Sequence, residues 1–185
     1  MYSYFLALPL PPIARARLAT FCYGLSQVRW VEEENFYLIL RQFGPLTSQV
    51  LTTIHERLEN LFFLPFSLVL QGVGHYHAKG NRGTLWMGVA HPSPLISLRK
   101  EIDRHLRDVQ LRPDERSFHP HVILGFYERL DPQRLGDYLI THGDYQSWPI
   151  EVTSCLLLRS LQTSKHTIYE VIEEYLASQL ATGED

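Results

Sequence analysis

Two hydrophobic rhythms alternate along the chain. Tyr2 to Leu8 is dense in aromatic and aliphatic residues and stops at Pro9, which predicts a strand. Ile13, Leu18, Phe21, Cys22 and Leu25 fall at helical spacing and predict a helix over Ile13 to Leu25. Asn35 to Phe43 predicts a second strand, stopped by Gly44-Pro45. Ser48 to Leu61 predicts a helix capped by Ser48, with Val50, Leu51, Ile54, Leu58 and Leu61 as its buried stripe. Phe66 to Gly72 and Thr84 to Val89 read as strands on either side of a glycine-rich turn region, Gly72 to Gly83. Pro92 to Val109 predicts a helix through Leu95, Leu98, Ile102, Leu106 and Val109. Phe118 to Phe126 predicts a strand broken at its start by Pro120, and Asp131 to Ile140 a short helix opened by Asp131-Pro132. Ile150 to Leu158 and His166 to Glu173 are late strands able to pair across a turn at Gln162 to Lys165, with Val171 to Leu180 open to a terminal helix instead.

A late strand pair is incompatible with a purely parallel sheet. The pattern therefore points to an α+β fold, with antiparallel or mixed sheets backed by helices. Asn35 to Leu40 resembles Pro120 to Leu124, and each segment precedes a helix. This faint repeat predicts two lobes facing a shared central cleft. Residues 1–180 read as one domain and 181–185 as a loose tail.

Composition narrows the partners. At 185 residues and 45% hydrophobic, the chain can bury its own core without a metal or disulfide staple. A net charge of −3 excludes a protein that coats long nucleic acids, which needs a basic stripe to displace counterions. A cleft gripping one phosphate or one RNA end needs only a few local donors and stays open. Cys22 and Cys155 are too few for a disulfide framework, so a reducing, cytoplasmic setting and a monomer are the expectation. Met1 to Leu10 lacks a basic leader and reads as a first strand, and no apolar run is long enough for a membrane span.

Four segments carry candidate chemistry. They are Phe5 to Pro9, Arg29 to Gly44, Gly72 to Val89 with Trp86 inside it, and Phe118 to Leu124. In order and spacing they resemble the 2H phosphoesterase superfamily, and within it the RNA 2′,3′-cyclic phosphodiesterases, also called 2′-5′ RNA ligases. The resemblance implies a bilobal fold, no cofactor and no metal, and a His-x-Thr motif on one strand of each lobe. In that family one histidine deprotonates a water, the other protonates the leaving ribose oxygen, and the threonines hold phosphate oxygens. Two imidazoles near neutral pKa suit this division of labour, and residues i and i+2 of a strand face the same way.

This chain departs from the motif. The matching triplets are Tyr37-Leu38-Ile39 and His121-Val122-Ile123, so one histidine stands and both threonines are isoleucines. A basic residue often follows the second motif in the family; Phe126 holds that position here. A tyrosine, with an unperturbed pKa of about 10, can donate a proton at neutral pH but rarely accepts one. Isoleucines in place of hydroxyls penalise an anion by desolvation. His121 and Tyr37 are the candidate catalytic pair, and Arg41, His75, His77, Arg82 and His119 the candidate substrate contacts, with Lys79 as a further charge and Tyr76 and Trp86 as possible base-stacking rings. The expected function is a weakened or lost cyclic phosphodiesterase acting on, or binding, RNA ends or nucleotides. The alternatives are a non-catalytic binder of nucleotide, RNA end or protein, and a metal-dependent hydrolase using His75/His77 and His119/His121, though a metal site needs three or four ligands.

Overall fold

The computed structural model describes residues 2–111, 117–163 and 166–178. The chain runs through β1 (Tyr2–Pro9), α1 (Pro12–Ala19), β2 (Val28–Trp30), a 3-10 turn (Glu33–Asn35), β3 (Tyr37–Gly44), α2 (Ser48–Leu58), β4 (Phe66–Ala78) and β5 (Arg82–Ala90). It continues through α3 (Ser93–His105), β6 (Val122–Glu128), α4 (Pro132–His142), β7 (Ile150–Val152), β8 (Ser154–Gln162) and β9 (Thr167–Leu176).

Period-two alternation decides how β3 lies. Leu38 and Leu40 are buried in the main core, so Tyr37, Ile39 and Arg41 face the other side of the sheet. All named strand pairs are antiparallel. The strand order is β7-β4-β5-β6-β3-β1-β8-β9, with β2 added on β6. Two leaves result, β7-β4-β5-β6 with β2 and β3-β1-β8-β9, and among the described residues the Leu38↔Val122 pair joins them. Helices cover the back of both leaves. Arg99 on α3 donates to the Leu40 carbonyl of β3 at 2.6 Å, and Tyr138 on α4 donates to the Phe21 carbonyl at 2.7 Å. The front face carries a smaller apolar cluster of Phe5, Ala7, Leu156 and Leu158, with Tyr37, Ile39 and Tyr169 against it. No helix among the described residues is long and apolar enough to cross a membrane.

The α+β architecture and two facing lobes follow the hydrophobic pattern, while several boundaries differ. The region 72–83 is mostly strand, not turn, and the hairpin reverses only at residues 79–81. Its glycines mislead for a physical reason. Gly72 sits at φ +66 beside a register shift between Gln71 and Val73, and a Cβ on Gly74 would lie 2.2 Å from the Trp86 ring. They mark a bulge and a close approach. β6 starts at Val122, after Pro120, which has no N–H for a ladder, and not at Phe118. α1 ends at Ala19, before Leu25, with Phe21 and Leu25 buried from the turns that follow. The single late strand predicted from Ile150 divides into β7 on β4 and β8 on β1. β9 is a strand to Leu176, which removes the helical alternative there. The tail 181–185 and the turn residues 164–165 lie outside the described residues.

Candidate active site

The seam between the leaves builds the site. Leu38↔Val122 pairs the middle residues of the two motif triplets. One step along this antiparallel pair brings Ile39 beside His121 and Tyr37 beside Ile123, a two-fold arrangement of four forward-facing side chains. A cleft of about 680 Å³ opens in front, lined by Ile39, Arg41, Tyr76, Phe118, His119, His121, Ile123 and Phe126 among others.

His121 is held in one orientation. Its Nδ1 lies 2.6 Å from the His119 carbonyl oxygen. A carbonyl only accepts, so Nδ1 carries the proton, and Nε2 of the neutral ring is left as the acceptor. Burial lowers the His121 pKa below its ordinary 6.5; the bond to His119 opposes this and the nearby His119 charge reinforces it. The ring packs edge-on against Tyr76 at 5.3 Å and tilted against Trp86 at 5.9 Å. Tyr76 and Trp86 are themselves 5.3 Å apart, and Trp86 fits because Gly74 has no side chain. A neutral imidazole at pH 7 beside two aromatic rings suits a general base and a nucleobase.

The remaining predicted residues distribute unevenly. Tyr37 shares the front face with Ile39 but does not line the cleft with His121, because its ring packs on Tyr169 at 5.8 Å within the apolar cluster. Arg41 lines the cleft and is ion-paired with Asp103 on α3. His119 lines the cleft and is exposed. His75 donates or accepts at the Tyr127 hydroxyl, 3.2 Å away, and neither it nor His77 lines the cleft. Arg82 lies further along β5, paired with Glu128 at 3.1 Å. Lys79 sits beyond it at the hairpin tip. Burial pushes the thiols of Cys22 and Cys155 up to about 12, so neither is a ready nucleophile. Among the described residues no group of three or more His, Cys, Asp or Glu side chains gathers as a metal site would require.

Arg99 is one of the cleft residues that pattern reasoning missed. It is buried, binds Asp103 at 2.9 Å through Nε, and lies 5.4 Å from the Phe118 ring. A signal existed, because Arg99 stands four residues after Leu95 and three before Ile102, inside the apolar stripe of its helix. Arg41 and Arg99 share the carboxylate of Asp103 on the wall of the cleft.

This two-leaved sheet with paired motif strands is a 2H phosphoesterase fold. Residues 38–163 match the 2′-5′ RNA ligase superfamily. The RNA 2′,3′-cyclic phosphodiesterase of Aeropyrum pernix is 31% identical over 156 residues, covering 82% of this chain and 87% of that protein. That of Archaeoglobus fulgidus is 29% identical over 147 residues, covering 80% and 82%. The crystal structure of E. coli LigT complexed with 3′-AMP shares the fold with a TM-score of 0.78 at 19% identity, over 96% of this chain and 98% of that one. The chain belongs to the 2′-5′ RNA ligase superfamily.

Proposed function

We propose that the cleft receives a ribonucleotide end bearing a 2′,3′-cyclic phosphate and that hydrolysis there is slow. The observation that carries this reading is His121, whose Nε2 is the free acceptor nitrogen in a cleft of nucleotide size. In this reading Nε2 takes a proton from water as its oxygen attacks phosphorus. The bond from phosphorus to the 3′ oxygen breaks, and that oxygen takes a proton, leaving a 2′-phosphate. The second proton transfer lacks its imidazole, because Tyr37 at the matching place packs on Tyr169 and does not line the cleft. Arg41, which lines the cleft, supplies a guanidinium for the phosphate. The names of the archaeal relatives and the 3′-AMP complex of LigT support a ribonucleotide ligand. A monomer in a reducing cytoplasm belongs to the same proposal.

Ile39 and Ile123 favour a second reading, a binder that does not turn over, because they remove two hydroxyls from the phosphate position. One experiment separates the two. Purified protein is incubated with 2′,3′-cyclic AMP and a short cyclic-phosphate RNA, with and without chelator. Slow turnover that survives chelation and drops by about 10²- to 10⁴-fold in His121→Ala supports the first reading. Binding without turnover supports the second. Turnover abolished by chelator, or no binding to either ligand, overturns both.

A further inference from the structure

We infer that the hollow at the tip of the β4–β5 hairpin is a second anion site, which takes a backbone phosphate of an RNA strand whose end lies in the cleft. The inference rests on the cleft reading above and adds a substrate class to it, an oligonucleotide in preference to a mononucleotide. The hollow, about 330 Å³, is lined by Lys79, Gly80, Arg82, Glu128 and Arg129. Three cations face one carboxylate there, in a chain whose net charge is −3. Glu128 is already engaged by Arg82, and both are well exposed, so this pair binds weakly and yields to a competing anion. Lys79 and Arg129 have no ion-pair partner among the described residues.

The two segments that carry these cations are latched together. The Arg129 N–H donates to the Asn81 carbonyl at 2.7 Å, and the Asn81 side-chain amide donates to the Leu130 carbonyl at 3.4 Å. Asn81 and Arg129 both adopt positive φ, 53 and 55, to make the latch. The hairpin tip is thus fixed against the end of β6, and the cations meet with little ordering left for a ligand to cause.

The route from cleft to hollow follows one face of β6. Phe126 lies between His121 and Glu128 on that face, is 37% exposed, and pairs across β2 with Arg29. The Arg29 guanidinium sits 5.0 Å over the Phe126 ring. A cation over an exposed ring is a platform for a stacked base. Seven residue steps of extended chain separate His121 from Glu128, roughly 23 Å, so a strand of several nucleotides is needed to reach both sites. Alternating rings and cations continuous with the cleft favour RNA over an acidic peptide.

The test compares 2′,3′-cyclic AMP with a labelled oligoribonucleotide ending in the cyclic phosphate, titrated at rising KCl, for the parent and Lys79→Ala/Arg129→Ala. The parent is expected to bind the oligonucleotide more tightly. In the variant the oligonucleotide-to-mononucleotide affinity ratio falls about tenfold. The slope of log affinity against log salt falls by about 0.7, because one phosphate is no longer neutralised. A ratio and slope equal in parent and variant, with the mononucleotide still bound, overturn this inference and leave the cleft reading standing. Oligoglutamate displacing the RNA from the parent but not from the variant, with the affinity ratio unaltered, also overturns it. Failure of both ligands to bind removes the cleft reading and this inference with it.

Discussion

Restoring the motif side chains is the most direct test of the proposed slow turnover. The series is Tyr37→His, then Ile39→Thr and Ile123→Thr. A positioned general acid contributes about 10²- to 10⁴-fold, or about 2.7–5.5 kcal/mol of barrier at ~1.36 kcal/mol per decade. Each threonine hydroxyl regains a hydrogen bond to a charged oxygen, worth about 1.5–3 kcal/mol where water is excluded. The structure leaves these gains within reach. Tyr37, Ile39 and Ile123 are only half-buried and none of them forms the seam, which rests on Leu38 and Val122. The cost is the Tyr37–Tyr169 ring packing, about 0.5–1.5 kcal/mol. Two partly buried methyl groups go as well, so the triple variant stays within the ~5–15 kcal/mol typical of a folded domain. Single-turnover hydrolysis of 2′,3′-cyclic AMP gives the rate. The parent is expected to show a pH profile rising through a midpoint below 6.5, because burial lowers the His121 pKa. With Tyr37→His the profile becomes bell-shaped. A triple variant that folds and binds the cyclic nucleotide yet reacts no faster than the parent refutes the reasoning. A parent as fast as a relative with both histidines refutes it equally.

Three further outcomes follow from the same geometry. Gly74→Ala sets a methyl group 2.2 Å from the Trp86 ring, so it should lower the thermal midpoint by an amount matching ~1–3 kcal/mol and weaken nucleotide binding as Trp86 tilts into the cleft. An unchanged midpoint would show that the ring moves freely. Arg99→Met leaves the Leu40 carbonyl without its charged donor and should cost about 1.5–3 kcal/mol in urea unfolding; a neutral result would mean that water replaces the guanidinium. The buried His121 resists protonation, whereas the unfolded chain takes up that proton below about 6.5, so stability is full above that pH and declines as pH falls toward the lowered folded value. His142 is lowered by burial in the same direction, so the measurement is the difference between parent and His121→Gln in thermal scans from pH 7 to 5, with a flatter dependence expected in the variant.

Elements with strong periodicity are readable from the residues alone. The stripe of α2 and the alternation of β3 reveal both their type and their buried faces, because Ile54, Leu58, Leu38 and Leu40 go into one core. The readings that failed depend on neighbours distant in sequence. Gly72 and Gly74 look like turn residues, yet Gly74 makes room for Trp86 on the partner strand. The three-residue β2 is too short to show alternation and exists by pairing with β6. In the site, His121 is legible as a motif position and Arg41 as a candidate charge on the same strand as the first triplet, and the structure brings them to one cleft. His75 and His77 share a pattern with His119 and His121, but the strand that carries them turns His75 toward Tyr127. Arg99 is hidden because an arginine within an apolar stripe reads as an interruption until its partners, the Leu40 carbonyl and Asp103, are in view.

The seam explains how such a cleft keeps its shape while its chemistry changes. Leu38 and Val122 are fully buried, and their pairing is set by the packing behind them, with Leu40 and Leu124 on the same side. A one-residue slip of either strand would send these leucines and valine into the cleft and bring Ile39 or Ile123 into the core, so the back face fixes the register. Tyr37, Ile39, His121 and Ile123 project from the front and do not enter that decision. On the proposed reading, substituting any of them alters proton transfer or anion affinity, while the buried pairing keeps the two strands in place. The cleft therefore keeps its shape whichever side chains stand at these four positions, and on the proposed reading its binding and its turnover are separable properties of the same fold.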